Sequence, residues 1–360
     1  MSHLLGVELQ IINQDLIDLV TASGHLEPVA RVDLYNASTL ETVEITDIKS
    51  FSITKSSTNN DSFSLVVGDA STWHARTTDH ADELAGYKNY WFKFSLGYTI
   101  DGTDVLIPYF IGVANQIPED YGPTSEAITI NGTGLSRLLQ IVDGDLTNRT
   151  DDVSALIQEL IDTSILEYSF VSLPTKSTDS LDLNNDDALS SIDYLRAAVG
   201  VATERYVNNE GVFVVQGKQD GVSSEFSYTG DAIFTLNRSF DASKLVTVCT
   251  VKSSAVSATV SDATGYLTNY GKIKKTISNN IITTYSAASA AARSAITNSI
   301  SRSTAIRIKV PFNPYLTPGG VITVTEDERS LTGDDIYIET VTATCTLGVD
   351  SASTISGYLI

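Results

Sequence analysis

Alternation of apolar and polar residues with a period of two dominates the sequence from residue 26 to residue 145. Such alternation is typical of strands with one buried face. Turn residues separate the runs, among them the Asp-Gly pair at Asp101, which supplies the positive φ of tight hairpins. About six short strands in so few residues predict a closed barrel or a small sandwich. The runs are VARVDLYN, VEITDIKSFSITKS, FSLVVGD, YWFKFSLGYTI, VLIPYFIGVANQIPED and AITINGTG.

Between residues 146 and 218 the apolar period changes to that of a helix. Apolar residues recur on one face of 153–161 and again on one face of 189–199. A hairpin is expected next, because Asn208–Gly211 has strong turn chemistry between two apolar runs. We predict a small α/β domain of two helices and a hairpin over 146–218.

The last third of the chain returns to strand patterns. Residues 219–252 and 304–360 are predicted to form a second β barrel of similar size to the first. The inserted segment between them, 253–303, ends in an alanine-rich helix that begins at Ser286. The sequence LTGDD, which begins at Leu331, is expected to form a turn between two strands.

These patterns predict a mainly β chain with an α/β insert, which belongs to the α+β class. Its main parts are two barrel-like β domains, accompanied by smaller α/β domains. Residues 1–25 have an apolar, weakly helical pattern, and we expect them to form an N-terminal arm that packs on a neighbour.

The chain is strongly acidic, with 23 basic and 44 acidic residues and a net charge of −21. Such a surface repels phosphate backbones, so we expect no stable binding to nucleic acids. The acidic residues are spread along the chain and form no tail, which is typical of a solvated surface. A short basic patch at Gly271–Lys275 is expected to be a solvated loop, and contact with an acidic partner is the alternative.

The first residues, MSHLLGVELQIINQDLIDLV, lack the basic flank and the cleavage site of a signal peptide. No apolar run approaches the roughly 20 residues of a membrane-spanning helix, so no membrane binding is expected. Cys249 and Cys345 lie in strand-like apolar runs. We expect buried reduced thiols in neighbouring strands, with a disulfide as the less favoured alternative. These features predict synthesis and folding in a cytoplasm.

Motifs for catalysis and for cofactors are missing from the sequence. The histidines are His3, His25, His74 and His80; they lack the spacing of a metal site, and the last two share a polar loop. No nucleophile elbow precedes a helix, and no glycine-rich phosphate loop is present. We predict no catalytic residue, no cofactor and no enzymatic activity. The many carboxylates leave a glycosidase pair open, because sequence spacing does not test it.

One acidic cluster has part of the spacing of a calcium loop. Asp182, Asn184 and Asp186 alternate as oxygen ligands would. However, Asp187 stands where the loop needs a glycine, and Asp193 stands where it needs a glutamate. The favoured interpretation is therefore a helix N-cap at Asp186 or Asp187, and the first three residues are a weak metal candidate.

The order of features near the C-terminal end resembles a known family. An alanine-rich helix leads to a strand, then to NPYLTPGGVITV and then to LTGDDIYIETVTATCTL. This order is similar to that of phage tail hub proteins, the late-control-protein-D-like family of baseplate hubs. The first barrel also resembles the family's Phe-x-Gly-x-Val strand, with the valine one place early. The matching residues are Phe110, Gly112, Val113, Asn313, Pro314, Leu316, Pro318, Gly319, Tyr337 and Ile338.

The resemblance implies a structural protein of a virion tail, located in the baseplate or tail tip and assembled in the host cytoplasm. A homotrimer would bring two barrels per chain, as ring halves, into a pseudo-sixfold ring on the hexameric tail tube. The implied partners are the tube protein, a central spike protein, the tape-measure protein and other baseplate proteins. The alternatives are a distal tail or other tail-tip protein, a virion protein that binds or degrades carbohydrate, and a β-rich adhesin. Residues 1–25 and 253–285 match nothing in the family.

Overall fold

A computed structural model gives the structure of the chain. The residues that it describes are 27–36, 42–57, 60–68, 90–100, 102–116, 127–149, 151–164, 166–171, 173, 177, 181–183, 185, 187–199, 203–217, 224, 226–326, 331–346 and 350–360. In these ranges, no helix has both the length and the apolar character needed to cross a membrane.

Strands predominate among the regular elements. The strands are β1 (Glu27–Asn36), β2 (Thr42–Ile45), β3 (Ile48–Ser56), β4 (Ser62–Val67), β5 (Tyr90–Ile100), β6 (Thr103–Gln116), β7 (Ile128–Gly134), β8 (Leu146–Arg149), β9 (Tyr168–Val171), β10 (Leu181–Leu183), β11 (Thr203–Val207), β12 (Phe213–Gly217), β13 (Phe226–Thr229), β14 (Thr235–Phe240), β15 (Val248–Lys252), β16 (Ser257–Ser261), β17 (Lys274–Ser278), β18 (Thr304–Pro311), β19 (Val321–Glu326), β20 (Leu331–Thr346) and β21 (Asp350–Leu359). The α-helices are α1 (Val153–Asp162), α2 (Ala188–Ala198), α3 (Tyr266–Tyr270) and α4 (Tyr285–Ser303), and 3₁₀ helices span Leu135–Gln140, Gly230–Ala232 and Ala242–Lys244. The class is mainly β, as predicted.

The first barrel is formed by antiparallel strands in the order β3–β4–β7–β6–β5–β1–β2. Its two end strands, β2 and β3, are consecutive in sequence and are separated by only Thr46 and Asp47. Asp47 has a φ of +59°, an uncommon conformation that turns the chain sharply. Its carbonyl oxygen accepts a hydrogen bond of 2.8 Å from the N–H of Gly68. The two end strands of this set are therefore joined by a sharp corner in the chain, while the described residues of β2 pair with β1 and those of β3 pair with β4 and β20. The mainly β character is as predicted, and closure of the barrel stays a prediction.

Aromatic side chains fill the first barrel. The ring centroid of Phe63 lies 5.4 Å from that of Phe92 and 5.1 Å from that of Phe94. Phe110 lies 5.8 Å from Phe94, and all four rings are buried. Burial of each such ring contributes roughly 1.5–3 kcal/mol. Gly132 faces this cluster, and a Cβ atom there would lie 2.1 Å from the Phe63 ring, so the close approach requires glycine.

The second barrel has the strand order β14–β18–β21–β20–β19–β13. Its end strands, β13 and β14, are again consecutive in sequence. The 3₁₀ turn at Gly230–Ala232 joins them, and Gly230 has a φ of +49°, which glycine adopts without strain. The chain therefore turns a corner between the two end strands of this set as well, where β13 pairs with β19 and β14 pairs with β18.

Strand β20 belongs to both barrels. Its first half pairs with β19, whereas its second half, from Thr340 to Thr346, pairs with β3 of the first barrel. Strand β21 pairs along the other edge of β20. The Oγ1 atoms of Thr54 in β3 and Thr342 in β20 lie 3.0 Å apart at this seam. The two barrels are thus parts of one 13-stranded sheet, a continuity that the alternating pattern did not reveal.

The expected turn at LTGDD is wrong. Residues 331–335 are the first residues of β20, where the pairing with β19 shifts its register between Val324 and Thr325. Gly333 has a φ of +70° at this irregularity. A bulge bends a strand without ending it, and glycine accommodates the bend. The glycine and aspartates that suggested a turn therefore mark a bulge.

The first small α/β unit packs α1 and α2 against the 3₁₀ helix Leu135–Gln140. Strands β11, β12 and β9 form one small sheet, and β8 pairs with β10. Helix α1 is capped by Asp152, and helix α2 by Asp187, whose carboxylate accepts a 2.8 Å hydrogen bond from the Ser190 N–H. Both predicted helices and the predicted hairpin are present.

The second small unit is the sheet β16–β15–β17, covered on one face by α4. Cys249 and Val251 of β15 pack with Ala288, Ala292 and Ile296 of α4. The sequence interpretation had placed 219–252 in the second barrel, but β15 pairs with β16 and β17 instead. An apolar run predicts a buried strand but does not show which sheet the strand joins. The partner strands β16 and β17 have no strong apolar pattern of their own, because they are rich in serine, threonine and lysine.

The two cysteines are free and buried, as the favoured interpretation expected. Their expected position in neighbouring strands is wrong, because Cys249 lies in β15 and Cys345 lies in β20, and these strands belong to different sheets. Both thiols are packed among apolar side chains, and burial raises the pKa of each.

Candidate functional site

The turn between β18 and β19, residues 312–320, contains five of the residues that carry the family resemblance; it is named the signature turn below. The Asn313 side chain is buried, and its Nδ2 donates a 2.9 Å hydrogen bond to the hydroxyl of Tyr228. Its Oδ1 accepts a 2.9 Å bond from the N–H of Tyr315. The Asn313 N–H donates to Ser353 Oγ at 3.0 Å. Because an amide side chain can donate and accept at once, Asn313 fixes the turn to β13 and β21.

Phe312 fixes the signature turn to the first barrel. Its ring centroid lies 5.8 Å from that of Tyr98 and 6.4 Å from that of Tyr109. Its carbonyl oxygen accepts a hydrogen bond from the Tyr98 hydroxyl. Burial raises the pKa of both tyrosines, so both phenols remain protonated at neutral pH. A turn of the second barrel is thereby held on β5 and β6 of the first.

Gly319 brings the signature turn against the hairpin β11–β12. It has a φ of +88°, and its N–H donates a 2.8 Å hydrogen bond to the carbonyl oxygen of Ile338 in β20. A Cβ atom at this position would lie 2.7 Å from Glu204 Oε1 in β11. Glu204 is buried and accepts a hydrogen bond from Gln216 Nε2 in β12. Both barrels and the first small unit therefore meet at this turn.

Two charged residues are buried where the same hairpin meets the first barrel. Lys55 Nζ in β3 donates a 3.1 Å hydrogen bond to Asn209 Oδ1 in the hairpin turn and lies 3.9 Å from the centroid of the Tyr109 ring. Asp61 Oδ1 accepts a 2.7 Å hydrogen bond from the N–H of Ser56. Burial lowers the pKa of Lys55 to about 7 and raises the pKa of Asp61 to about 7. Buried charges require partners, so docking of the hairpin helps to keep Lys55 inside.

An arginine network joins the hairpin to α2. Arg205 donates from Nε and Nη2 to the two carboxylate oxygens of Asp193, at 2.8 and 3.0 Å. Arg196 donates from Nη1 to Asp193 at 2.6 Å and from Nη2 to the carbonyl oxygen of Thr203 at 2.7 Å. Such two-point contacts are strong and fix orientation. Asp193, which the calcium-loop pattern would need as a ligand, thus pairs with two arginines.

The first-barrel residues of the resemblance lie in its core and not in the signature turn. Phe110 belongs to the aromatic cluster, and Val113 packs towards the first small unit. A Cβ atom at Gly112 would lie 2.7 Å from the Thr133 carbonyl oxygen, so glycine allows β6 and β7 to approach. The contact with the signature turn is made by Tyr109, the neighbour of Phe110.

The remaining residues of the resemblance lie in the second barrel. Pro314, Leu316 and Pro318 are buried within the signature turn, and Leu316 packs in the barrel core with Ile338. Tyr337 stacks on Tyr358 of β21 with 5.2 Å between the ring centroids. The turn and the first half of β20 are therefore brought together in the second barrel.

The region where the signature turn, the hairpin β11–β12 and the first barrel meet is named the junction. Sequence reasoning missed several of its residues, namely Lys55, Asp61, Tyr109, Arg205 and Phe312. One signal was available. Lys55 follows Phe51 and Ile53 at a spacing of two, and both apolar residues are buried. A lysine on the inward face of a barrel strand is unusual and indicates a buried partner.

The described structure does not test the weak metal candidates. Asp182 lies in β10, whereas Asn184 and Asp186 lie outside the described residues, and Asp187 is the N-cap of α2. No group of three or more histidine, cysteine or acidic side chains that could hold a metal ion occurs in the described ranges. The four histidines lie outside those ranges.

The junction joins elements that are far apart in the sequence. Its hydrogen bonds and ion pairs run from the signature turn to β13 and β21, from β3 to the hairpin, and from the hairpin to α2. A network of this kind holds structural units in a fixed relation. Its geometry is that of a rigid structural joint.

Comparisons with solved structures show that this fold is known in tail proteins. A tail protein from Neisseria meningitidis MC58 superposes with a TM-score of 0.67 at 12% identity, covering 91% of this chain and 96% of that one. The 43 kDa tail protein of prophage MuSo2 from Shewanella oneidensis gives 0.61 at 14% identity, covering 91% and 97%. The E. coli c3393 protein gives 0.55 at 11% identity, covering 87% and 74%. It is a component of the type VI secretion system with structural similarity to the T4 tail proteins gp27 and gp5.

No family model matches the sequence, and no curated protein matches it. At identities of 11–14%, the likeness concerns the fold alone, which extends over nearly the whole length of the two tail proteins and over 74% of the c3393 protein.

Proposed function

We propose that the chain is a structural component of the tail or baseplate of a phage or phage-like injection machine, and that it is the hub. The observation that carries the proposal is the pair of barrel-like strand sets, each with its end strands joined by a corner in the chain and both joined in one sheet through β20. A rigid pair of barrels suits a protein that transmits position and force and performs no chemistry. The fold shared with the Neisseria tail protein over 91% of this chain supports the same role.

The two-barrel architecture also supports a homotrimer. Three chains would place their barrels alternately around an axis, and this pseudo-sixfold ring would match a hexameric tail tube. The partners in this proposal are the tube protein, a central spike protein, the tape-measure protein and other baseplate proteins. The location is the tail tip of the particle, after assembly in the host cytoplasm.

The first small unit favours the hub over a distal tail protein. A distal tail or tube protein would share a β barrel without needing the α/β unit. Here the hairpin of that unit holds Lys55 through Asn209 and lies against the signature turn at Glu204. The α/β unit is therefore integral to the junction of the two barrels.

We propose a domain division that follows from the strand pairing. It consists of an arm over 1–25, a first barrel over 26–145, a small α/β domain over 146–218 and a second barrel over 219–247 and 304–360. The inserted unit then covers 248–303, because β15 pairs within it. Limited proteolysis should cut between these units before it cuts within them.

The test is assembly with tail components. The purified chain should have a mass about three times 38.7 kDa by light scattering, or, where it becomes trimeric only with its spike protein, that mass plus the mass of the spike. Negative-stain images of the chain mixed with purified tail tubes should show a six-lobed ring at one tube end. If the chain binds neither tube nor spike proteins, the proposal of a hub is contradicted. Glycan binding by that chain would then favour the carbohydrate-binding alternative.

A further inference from the structure

The charge of the chain is divided between two regions. Residues 226–309 contain 10 basic and three acidic residues, a net charge of +7, whereas the rest of the chain contains 13 basic and 41 acidic residues, a net charge of −28. The acidic residues are therefore not spread evenly, which corrects the first interpretation of the sequence. The basic patch at Gly271–Lys275 belongs to this region, where Lys274 and Lys275 lie in β17 rather than in a loop.

The exposed aromatic side chains lie in the same basic region. Among the described residues, four large aromatic side chains are exposed: Phe234 (52%), Phe240 (44%), Tyr270 (47%) and Tyr285 (64%). All four fall between residues 226 and 309. Charge and aromatic exposure are independent properties, and together they favour an interaction surface within this region, because aromatic residues are enriched at interfaces.

The best-defined part of this surface joins β14 to α3. The Phe240 ring centroid lies 5.3 Å from that of Tyr270, which stacks on Tyr266 at 5.9 Å. Lys244 and Lys272 are both exposed, and each is close in sequence to one of these rings. The two lysine-bearing segments are tied together, because Thr247 Oγ1 donates a 2.6 Å hydrogen bond to the Gly271 carbonyl oxygen. Phe240, Tyr266, Tyr270, Lys244 and Lys272 are named the aromatic–lysine face.

The two acidic residues nearest to this face in the sequence are engaged locally. Asp241 accepts hydrogen bonds from the Ser243 N–H at 3.0 Å and the Ser243 hydroxyl at 2.6 Å. Asp262 accepts from the N–H groups of Thr264 and Leu267, at 2.9 and 3.0 Å. Both carboxylates stabilise turns of the face itself, and these hydrogen bonds lower the pKa of each, so both stay ionised. The positive charge around the face therefore comes from the ten basic residues of 226–309, which outnumber its three acidic ones.

The chain itself supplies a surface of opposite charge. Residues 142–195 contain 12 acidic and two basic residues. Among the described residues there, Asp145 precedes β8, Asp151 lies two residues before α1, and Asp162 is the last residue of α1; all three are exposed. They are named the acidic α1 face. A nucleic acid would meet a net charge of −28 on the remainder of the chain. A second copy is therefore the better electrostatic partner.

We propose that the aromatic–lysine face of one copy docks on the acidic α1 face of a second copy. The aromatic rings would form the centre of the contact, and the charged groups its rim. Because the two faces differ, the contact is head-to-tail, and repetition with a suitable rotation closes a ring. The inference extends the proposed function by naming the surfaces through which copies of the hub would meet.

The test is a charge exchange measured by sedimentation velocity. The variant Lys244→Glu with Lys272→Glu should raise the dissociation constant at least about tenfold and abolish its dependence on salt. Adding Asp145→Lys and Asp162→Lys to the same chain should restore association. The control, Lys49→Glu with Arg137→Glu, makes the same change in net charge on exposed residues elsewhere and should assemble like the wild type.

The aromatic centre has a separate test. Phe240→Ser with Tyr270→Ser should weaken association at least about tenfold while the melting temperature stays within a few degrees of the wild type, because both rings are exposed. A variant that assembles like the wild type would contradict the inferred contact.

Three other results would overturn the inference. One is a wild-type chain that stays monomeric at low salt, and another is a Lys244→Glu, Lys272→Glu chain that associates like the wild type. The third is binding of a labelled DNA duplex by the wild type and not by that variant, with equal masses for both proteins, which would make the face a nucleic-acid site. If the charge exchange leaves self-association unchanged and the chain still binds tail tubes, the inferred contact is wrong and the proposed function stands.

Discussion

At the scale of single residues, the inward-facing lysine of β3 determines much of the junction. Lys55 shares a strand face with Phe51 and Ile53, and its ammonium group is held by Asn209, which lies 154 residues further along the chain. A shift of about three pKa units corresponds to about 4 kcal/mol, a large fraction of a domain's stability. Burial of the charged forms of Lys55 and Asp61 therefore lowers the free energy of unfolding. Docking of the hairpin offsets this loss only in part.

Replacing Asp61 by Asn should make stability less dependent on pH. The pKa of Asp61 is raised in the folded chain from 3.8 to about 7, so the folded state keeps a proton that the unfolded state releases between about pH 4 and pH 7. The stabilising contribution of protonated Asp61 is full below pH 4 and is lost as the pH rises through 7. Asn stays neutral and keeps an acceptor for the Ser56 N–H. We expect Asp61→Asn to gain roughly 2–4 kcal/mol of unfolding free energy relative to wild type from pH 4 to pH 7.5.

Urea unfolding at several pH values measures this difference. Asp145→Asn, at an exposed carboxylate, is the control, and its difference from wild type should stay nearly constant over the same range. A difference that stays constant with pH for Asp61→Asn would show that Asp61 has an ordinary pKa in the folded chain. It would contradict the claim that burial of Asp61 destabilises the junction at neutral pH.

The sequence predicted only part of the junction at this scale. Asn313 and Gly319 could be named from the family resemblance, because their backbone and hydrogen-bonding roles leave a local pattern of prolines and glycines. Lys55, Asp61 and Phe312 could not be named, because their importance depends on partners that only the tertiary fold brings near. The alternating pattern nevertheless placed Lys55 on the buried face, which was the one available signal.

At the scale of elements, periodicity predicted most strands and both helices of the first small unit. It failed where chain direction changes without a loop. The run VEITDIKSFSITKS reads as one strand, yet the corner at Asp47 divides it into β2 and β3. It also failed at β15, whose partner strands β16 and β17 are rich in serine, threonine and lysine. Period-two patterns report burial of one face, and they carry no information on the neighbouring strand.

The two glycines at positive φ in the second barrel allow a matched test of the signature turn. Gly319 and Gly333 have φ values of +88° and +70°. A Cβ atom at Gly333 would meet nothing within 4 Å, whereas one at Gly319 would lie 2.7 Å from Glu204 Oε1. Gly333→Ala should cost about 1–2 kcal/mol from backbone strain alone. Gly319→Ala should cost about 1–3 kcal/mol more, because the buried Glu204 must move.

Chemical denaturation of the two alanine variants gives both values. Equal losses would mean that the hairpin does not press against the turn. A larger loss for Gly319→Ala that disappears when Glu204 is also changed to Ala would identify the contact directly.

At the scale of the whole molecule, the shared strand β20 joins the two barrels into one hydrogen-bonded sheet. We expect the barrels to unfold in a single transition, because separating them requires breaking the β3–β20 ladder and uncovering Phe312. Calorimetry should give equal calorimetric and van't Hoff enthalpies over that transition. Hydrogen exchange should protect the amides of Ile53 and Ala343, which face each other in this ladder, to the same degree.

Two separate heat-absorption peaks would contradict this cooperative unfolding. Ala343→Pro offers a matched perturbation, because proline removes a donor from the centre of the shared strand. It should split the single transition into two, whereas Ala255→Pro, in the exposed turn before β16, should leave the barrels coupled.

The continuity of β20 also has a mechanical consequence. The strand has 16 residues, which at the usual rise spans on the order of 50 Å. Its antiparallel hydrogen bonds to β21 and β3 stand across the strand direction, so tension along the strand loads them in shear and all at once. A flexible linker between the barrels would stretch before it carried load. In this chain, tension passes from one barrel to the other along one continuous strand that is hydrogen-bonded in both.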